Sequence, residues 1–190
     1  MLFDSQVLNV KQPGKLLPTQ AAYEYFDAVR NRLAVAAETD PRTRLDLLKG
    51  ALPGAPIPGT RTLIVTTGED QPALVLTKHA DGRLTELRTP TGDLVGRIRS
   101  ERTTRHFSLT GTNEEALGSV VGDLALKKFT VTGPAGDKIA RVSKTWAGIK
   151  ELLTPADHYQ VDFSGSVPES TRMLIAMIPI VIDLTHYGPV

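Results

Sequence analysis

The chain contains no cysteine. That excludes disulfides, thiolate metal ligands, a cysteine nucleophile and palmitoylation, and it fits a reducing compartment. Aromatic side chains make up only 5% of the chain, with Trp146 the single tryptophan. Excess charge is nearly absent at net +1, so there is no global polybasic signature. The four histidines, His79, His106, His158 and His186, lack metal-ligand spacing. No Gly-x-Ser-x-Gly, phosphate loop or dinucleotide fingerprint is present. The carboxylate pairs Glu69-Asp70 and Glu114-Glu115 sit in turn-like stretches and are most simply solvated. These absences predict a protein that is not an enzyme and uses no cofactor or metal. No apolar run reaches the roughly 20 residues that a membrane-spanning helix needs. Met1-Leu-Phe is followed at once by Asp4, so no signal peptide is expected.

What the chain does have is one concentrated apolar stretch near its end. From Met173 to Ile182 no polar side chain occurs, and Asp183 alone separates that run from Leu184. A helix apolar all the way round has no face for water and must be surrounded. Too short to span a bilayer, it requires a wall made by the rest of the chain. Ser166-Val-Pro-Glu169 has the capping-box form, with Pro168 expected in the first turn. Pro179 removes a helical hydrogen bond to Ile175, at a cost of about 3 kcal/mol. A helix to Ile178 followed by a buried strand through the β-branched Ile180-Val181-Ile182 is the competing local reading. A kinked helix over about residues 167–184 is the reading adopted.

The preceding residues read as short strands separated by turns. Strands are expected near Gln6–Val10, Ala22–Asp27, Arg32–Glu38, Thr62–Thr66, Ala73–Thr77, Leu84–Arg88, Leu94–Arg99, around Phe107 and Leu109, at Ala116–Leu124, around Phe129 and Val131, at Lys138–Ser143 and at His158–Phe163. Gly118 and Gly122 suggest bending or close packing. Thr43–Lys49 has short helical spacing, and the Pro/Gly stretch from Ala51 to Gly59 reads as an internal loop. No internal repeat is evident. Many short strands mean a sandwich or a barrel. A wholly apolar helix does not fit between sheets about 10 Å apart, but it fits down a barrel axis. The expected fold is therefore all-β with one buried helix: a single domain over residues 1–190, an antiparallel barrel of about 12 strands enclosing the C-terminal helix.

Gly136-Asp-Lys-Ile-Ala-Arg-Val-Ser-Lys-Thr-Trp-Ala-Gly148, then Glu151 to Phe163, then Arg172 to Asp183, resembles the phospholipid scramblase family and its LURP-one-related cousins. The residues that carry the resemblance are Lys144, Trp146, Gly148, Asp157, Tyr159, Phe163 and Asp183. It implies the Tubby C-terminal-like fold, a barrel around a central hydrophobic helix. Relatives carry a calcium-binding loop across this region. Here Pro155 stands at its first acidic position and Ser166 at its last, leaving Asp157 and an additional Asp162. Calcium takes six to eight oxygen ligands, so no calcium site is expected.

Charge is unevenly spread. Residues 97–150 are net +5 and residues 151–190 net −4. Arg97, Arg99, Arg102 and Arg105, extended by Lys127 and Lys128, form the candidate site. Its functional reading is contact with anionic phospholipid headgroups; the plainer reading is the solvated outer face of a barrel. Trp146 is expected to cap the barrel mouth. Asp183, if buried, must find hydrogen-bond donors or a cation. The resulting expectation is a non-enzymatic scramblase-family domain that binds anionic phospholipid. It would be cytoplasmic or peripheral on the inner face of the plasma membrane, and would bind no nucleic acid. The alternatives are a soluble protein-interaction or scaffold module of the LURP-one-related type, and a carrier of an acyl chain or small ligand inside the barrel.

Overall fold

The computed structural model describes residues 3–12, 21–39, 59–68, 71–101, 105–145 and 158–186. These form twelve strands and one helix. The strands are β1 (Val7–Lys11), β2 (Ala22–Phe26), β3 (Arg32–Glu38), β4 (Arg61–Thr67), β5 (Gln71–Lys78), β6 (Leu84–Arg88), β7 (Leu94–Ser100), β8 (His106–Thr110), β9 (Ala116–Gly122), β10 (Lys128–Thr132), β11 (Lys138–Thr145) and β12 (His158–Phe163). The helix, α1, spans Glu169–His186. Each strand pairs antiparallel with its sequence neighbours, and β1 closes the barrel by pairing with β12, Leu8 opposite Val161. Closure leaves no edge strand to template association. The expected short helix at Thr43–Lys49 and the loop at residues 51–58 lie outside the described residues, as do Arg102, Trp146, Gly148, Pro155 and Asp157.

Alternation builds the wall. On β7, Gly96 and Ile98 are buried while Arg97 and Arg99 point outward. On β10, Phe129 and Val131 are fully buried between exposed Lys128 and Thr130. Even-numbered strands β2 to β10 connect to their successors at one end of the barrel, the turn end. At the opposite end, the loop end, odd-numbered strands connect to theirs.

Four hairpins of the turn end repeat one design. Asp27, Thr89, Gly111 and Gly133 each donate their N–H to the carbonyl of the residue four further on, with a second bond from the fourth turn residue back to the first. That fourth residue is left-handed in all four: Arg30, Gly92, Glu114 and Gly136. Just before these turns the ladder shifts register at Tyr25/Phe26, Leu87/Arg88, Leu109/Thr110 and Val131/Thr132. Such bulges bend strands and tighten twist, which curls this end of the sheet closed. The chain thus has a repeat after all. It is one of backbone geometry, carried by sequences as different as Asp27–Asn31 and Gly133–Asp137, which is why residue identity did not expose it.

Several strand boundaries shift by one or two residues from expectation, two of them for a visible reason. β9 stops at Gly122 instead of Leu124, because the Asp123 carboxylate accepts the N–H groups of Lys127 and Lys128 and closes a turn. β5 begins at Gln71 and includes Pro72, which the irregular register between Val65 and Thr66 accommodates.

The core is a single cluster of wall and helix side chains. Leu174, Ile175, Ala176, Met177, Ile178 and Ile180 are wholly inaccessible, and they pack with Leu8, Val10, Leu63, Leu76, Ile98 and Phe107 among others. Gly96 is what lets the helix lie against β7. A Cβ there would stand 2.9 Å from Leu174 Cδ1 and 2.6 Å from the Thr110 carbonyl oxygen. Gly122 makes similar room for the ring of Phe129, 2.6 Å from where its Cβ would be.

The helix continues through Pro179 with no change to strand. Burying one large aliphatic side chain contributes about 1.5–3 kcal/mol, so two of the helix's isoleucines offset the proline. A closed barrel also has no free edge to receive a thirteenth strand. In the turn that Pro179 interrupts, the Tyr25 hydroxyl donates to the Ala176 carbonyl at 3.1 Å. The helix begins at Glu169, with the Pro168 carbonyl accepting from Arg172 N–H at 2.9 Å. Pro168 is thus the capping position, not part of the first turn, and Ser166 lies outside the cap.

Candidate functional site

Both ends of α1 are tied to the rest of the chain by polar contacts. At the turn end, Arg172 Nε donates to the Phe3 carbonyl at 2.6 Å and Nη2 to the Ser5 carbonyl at 2.5 Å. Its guanidinium stacks 4.0 Å from the centroid of Phe163. That straps the N-terminal segment across the barrel mouth.

At the loop end, the helix C-terminus meets a buried polar layer. Lys78 Nζ donates to the Leu184 carbonyl, satisfying one of the orphan acceptors that every helix leaves at its last turn. Burial, and then the nearby Arg61 charge, push the Lys78 ammonium below its ordinary pKa. Arg61 is tied to Glu38 by two bonds of 3.0 and 2.6 Å. Asp183, only 5% exposed, accepts a hydrogen bond from the Tyr159 hydroxyl. The Tyr23 phenol faces the same carboxylate, and burial first, then the Asp183 charge, raise its pKa far above the ordinary value. Lys144 Nζ lies 5.5 Å from the Tyr159 ring centroid, over its face.

Sequence reasoning singled out Asp183, Tyr159 and Lys144 but missed Lys78, Tyr23 and Arg61. A signal for Lys78 was present. Leu74, Leu76 and Lys78 share one face of β5, so a lysine ending an apolar alternation must point inward. Tyr23 and Tyr25 likewise alternate onto the inner face of β2.

The candidate basic residues divide. Arg97 is already engaged: its Nε lies 3.2 Å from Glu86 Oε1, with Glu114 4.0 Å from Nη1. Glu86 also receives Arg88 at 3.1 Å. Burial pushes the Glu86 carboxyl up, but hydrogen bonds from Arg88 and Arg97 outweigh it and hold the pKa below the ordinary carboxylate range. Arg97 therefore belongs to an ion-pair cluster on the barrel side. Arg99 is exposed and directed outward near the loop end of β7, opposite Ser108 of β8. Arg105, half-buried, enters β8, and its carbonyl accepts from Gly122 N–H at 2.8 Å. That bond places it beside the β9–β10 turn, which carries exposed Lys127 and Lys128. Four of the expected six residues thus gather at the loop end, where exposed Asp81, Glu101 and Asp123 also lie. The turns at the other end hold Asp27, Asp93, Glu114, Glu115 and Asp137, with Arg30 among them.

Of the residues named for the calcium-loop match, Asp162 and Ser166 are among those described. Asp162 lies outward on β12, accepting from Gln160 Nε2 at 2.7 Å, and Ser166 is exposed ahead of the helix. Among the described residues, no group of three or more His, Asp or Glu side chains is placed to hold a metal ion. No helix among them is long and apolar enough to cross a membrane.

A closed twelve-stranded antiparallel barrel sheathing a C-terminal apolar helix is the Tubby-like fold. It has a solved counterpart in the X-ray structure of a protein from Arabidopsis thaliana. That structure is 11% identical with a TM-score of 0.55, and the match covers 94% of this chain and 91% of that one. The family profile described as Scramblase matches residues 72–188, more than half of the chain, and the chain belongs to that family. A search of the curated proteins finds no match.

Proposed function

We propose that this Scramblase-family barrel binds anionic phospholipid headgroups at a membrane surface, peripherally and without a chemical step. The observation that supports this reading is the gathering of Arg99, Arg105, Lys127 and Lys128 at one end of a barrel whose opposite turns are mostly acidic. Such an end-to-end charge difference orients the molecule in the field of a charged bilayer. Each basic residue near an anionic surface contributes about 1 kcal/mol, so four give reversible, salt-sensitive attachment. A helix enclosed by its own barrel does not line a path for lipid, so the proposed role is binding and not transport. The filled interior, with wall and helix side chains at or near zero exposure, leaves the acyl-carrier reading without support.

Flotation with vesicles is the test. The expected result is co-flotation with phosphatidylserine-containing vesicles at low salt and loss at high salt. Phosphatidylcholine vesicles should not carry the protein, and Arg99→Glu with Lys128→Glu should abolish binding while leaving the melting transition in place. Absence of binding to phosphatidylserine vesicles at low salt would overturn the proposal.

A further inference from the structure

We propose that the tip of the β9–β10 turn, with Leu124 at its apex, is the element that enters the bilayer interface; this rests on the lipid-surface reading above. Among the described residues three large apolar side chains are conspicuously exposed: Leu124 at 88%, Val29 at 77% and Val121 at 44%. Leu124 and Val121 both belong to the β9–β10 hairpin, at the end where Lys127, Lys128 and Arg105 gather. The tip is built rigidly. Leu126 N–H bonds the Asp123 carbonyl at 3.1 Å, and the Asp123 carboxylate takes Lys127 N–H at 2.8 Å. Leu126, in a left-handed conformation, turns back to pack against the core while Leu124 is left projecting. A presented leucine therefore loses little freedom on insertion.

The shape and charge choose the occupant. A convex apolar apex with lysines just behind it suits a deformable anionic interface, in which leucine reaches the acyl boundary while the ammonium groups stay among the phosphates. Neither a single acyl chain nor a small basic patch holds a protein on a membrane firmly; stable attachment takes two signals. This hairpin supplies an apolar one and a basic one together. Val29 sits at a turn of the opposite end, where the Asp27 carboxylate accepts its N–H at 2.9 Å; Arg30 and Arg32 flank it, but Arg32 lies 3.9 Å from Glu24 and the neighbouring turns carry Asp93, Glu114, Glu115 and Asp137.

Because the chain has no cysteine, a single thiol can be placed and labelled uniquely. Leu124→Cys and, separately, Val29→Cys would each carry an environment-sensitive nitrobenzoxadiazole fluorophore. With phosphatidylserine-containing vesicles, the label at 124 should blue-shift and brighten while the label at 29 stays as in buffer. Leu124→Asp, at a fully presented position, should keep the unlabelled fold and lower vesicle partitioning by about tenfold. If the protein floats with vesicles but the label at 124 does not respond, or the label at 29 responds instead, the assignment of the tip fails while the lipid reading stands. If the unmodified protein does not float at all, both fail.

Discussion

Replacing Ile178 with lysine leaves the chain without a cooperative folded state. Ile178 is wholly inaccessible at the middle of α1, packed in the one cluster that joins helix and wall. Its neighbours Leu174, Ile175, Met177 and Ile182 carry no side chain that could pair with a cation, and apart from Ile175, whose partner Pro179 has no N–H, their carbonyls are within the helix ladder. Taking an unpaired ammonium out of water costs several kcal/mol even after relaxation, while domains of this kind are stable by only about 5–15 kcal/mol. Because every strand contributes to the one core cluster that contains the helix, local failure is not confined to one element. Urea titration followed by near-ultraviolet circular dichroism is the check. The lysine variant should show no native baseline, whereas Ile178→Val, losing one methylene, should cost about 0.5–1.5 kcal/mol. A lysine variant that unfolds at the wild-type midpoint would mean that the helix is not packed as described.

The second large effect is expected at Asp183. Asp183→Ala should destabilise the barrel by about 3 kcal/mol, since charge-assisted hydrogen bonds contribute more than neutral ones and the buried Tyr159 hydroxyl would lose its acceptor. For a chain of this size that corresponds to a fall in melting temperature of roughly 6–12 °C. Asp183→Asn, which keeps a side-chain carbonyl in place, should recover more than half of the loss. A double-mutant cycle with Tyr159→Phe should give a coupling of roughly 1–3 kcal/mol. If Asp183→Ala melted with the wild type, the polar layer at the loop end would not be what secures the helix C-terminus. The size of the expected effect follows from geometry: Lys78, Tyr23 and Tyr159 all converge on the last turn, and none of them is close in sequence to it.

That convergence marks the limit of what the residue order alone disclosed. The apolar run at Met173–Ile182 announced its own enclosure, because no water-facing side could be drawn on it. Alternation at Phe129/Val131 and Gly96/Ile98 fixed which face of each strand lines the wall, and spans such as Arg32–Glu38, Leu84–Arg88 and His158–Phe163 agree with the structure. Pairings across the sheet were not legible. Arg97 looked like part of a basic surface until register brought Glu86 of β6 opposite it, something that depends on the bulge at Leu87/Arg88. Lys78 fell just past the expected strand Ala73–Thr77 and drew no notice, because the carbonyl it caps is more than a hundred residues away in the chain. Closure through β1 and β12 is a property of the whole sheet and not of either strand. Pro179 kept a competing strand reading open. Its local preference favoured a break, and burial of the surrounding isoleucines overrode it. The Leu124 tip was hidden inside an expected strand, since only the Asp123 side-chain bonds distinguish that turn from continued extension.

Native-state amide hydrogen exchange across α1 bears most directly on the claim that the barrel shelters the helix. In buffer without lipid or detergent, amides from Ile175 to Ile182, Pro179 excepted, should exchange only through global unfolding. Their protection should equal that of the central strand residues Ile98 and Val131 and fall with them on adding urea. Exchange of the helix amides orders of magnitude faster than those strands would show that the helix leaves the barrel by itself, and would contradict the account.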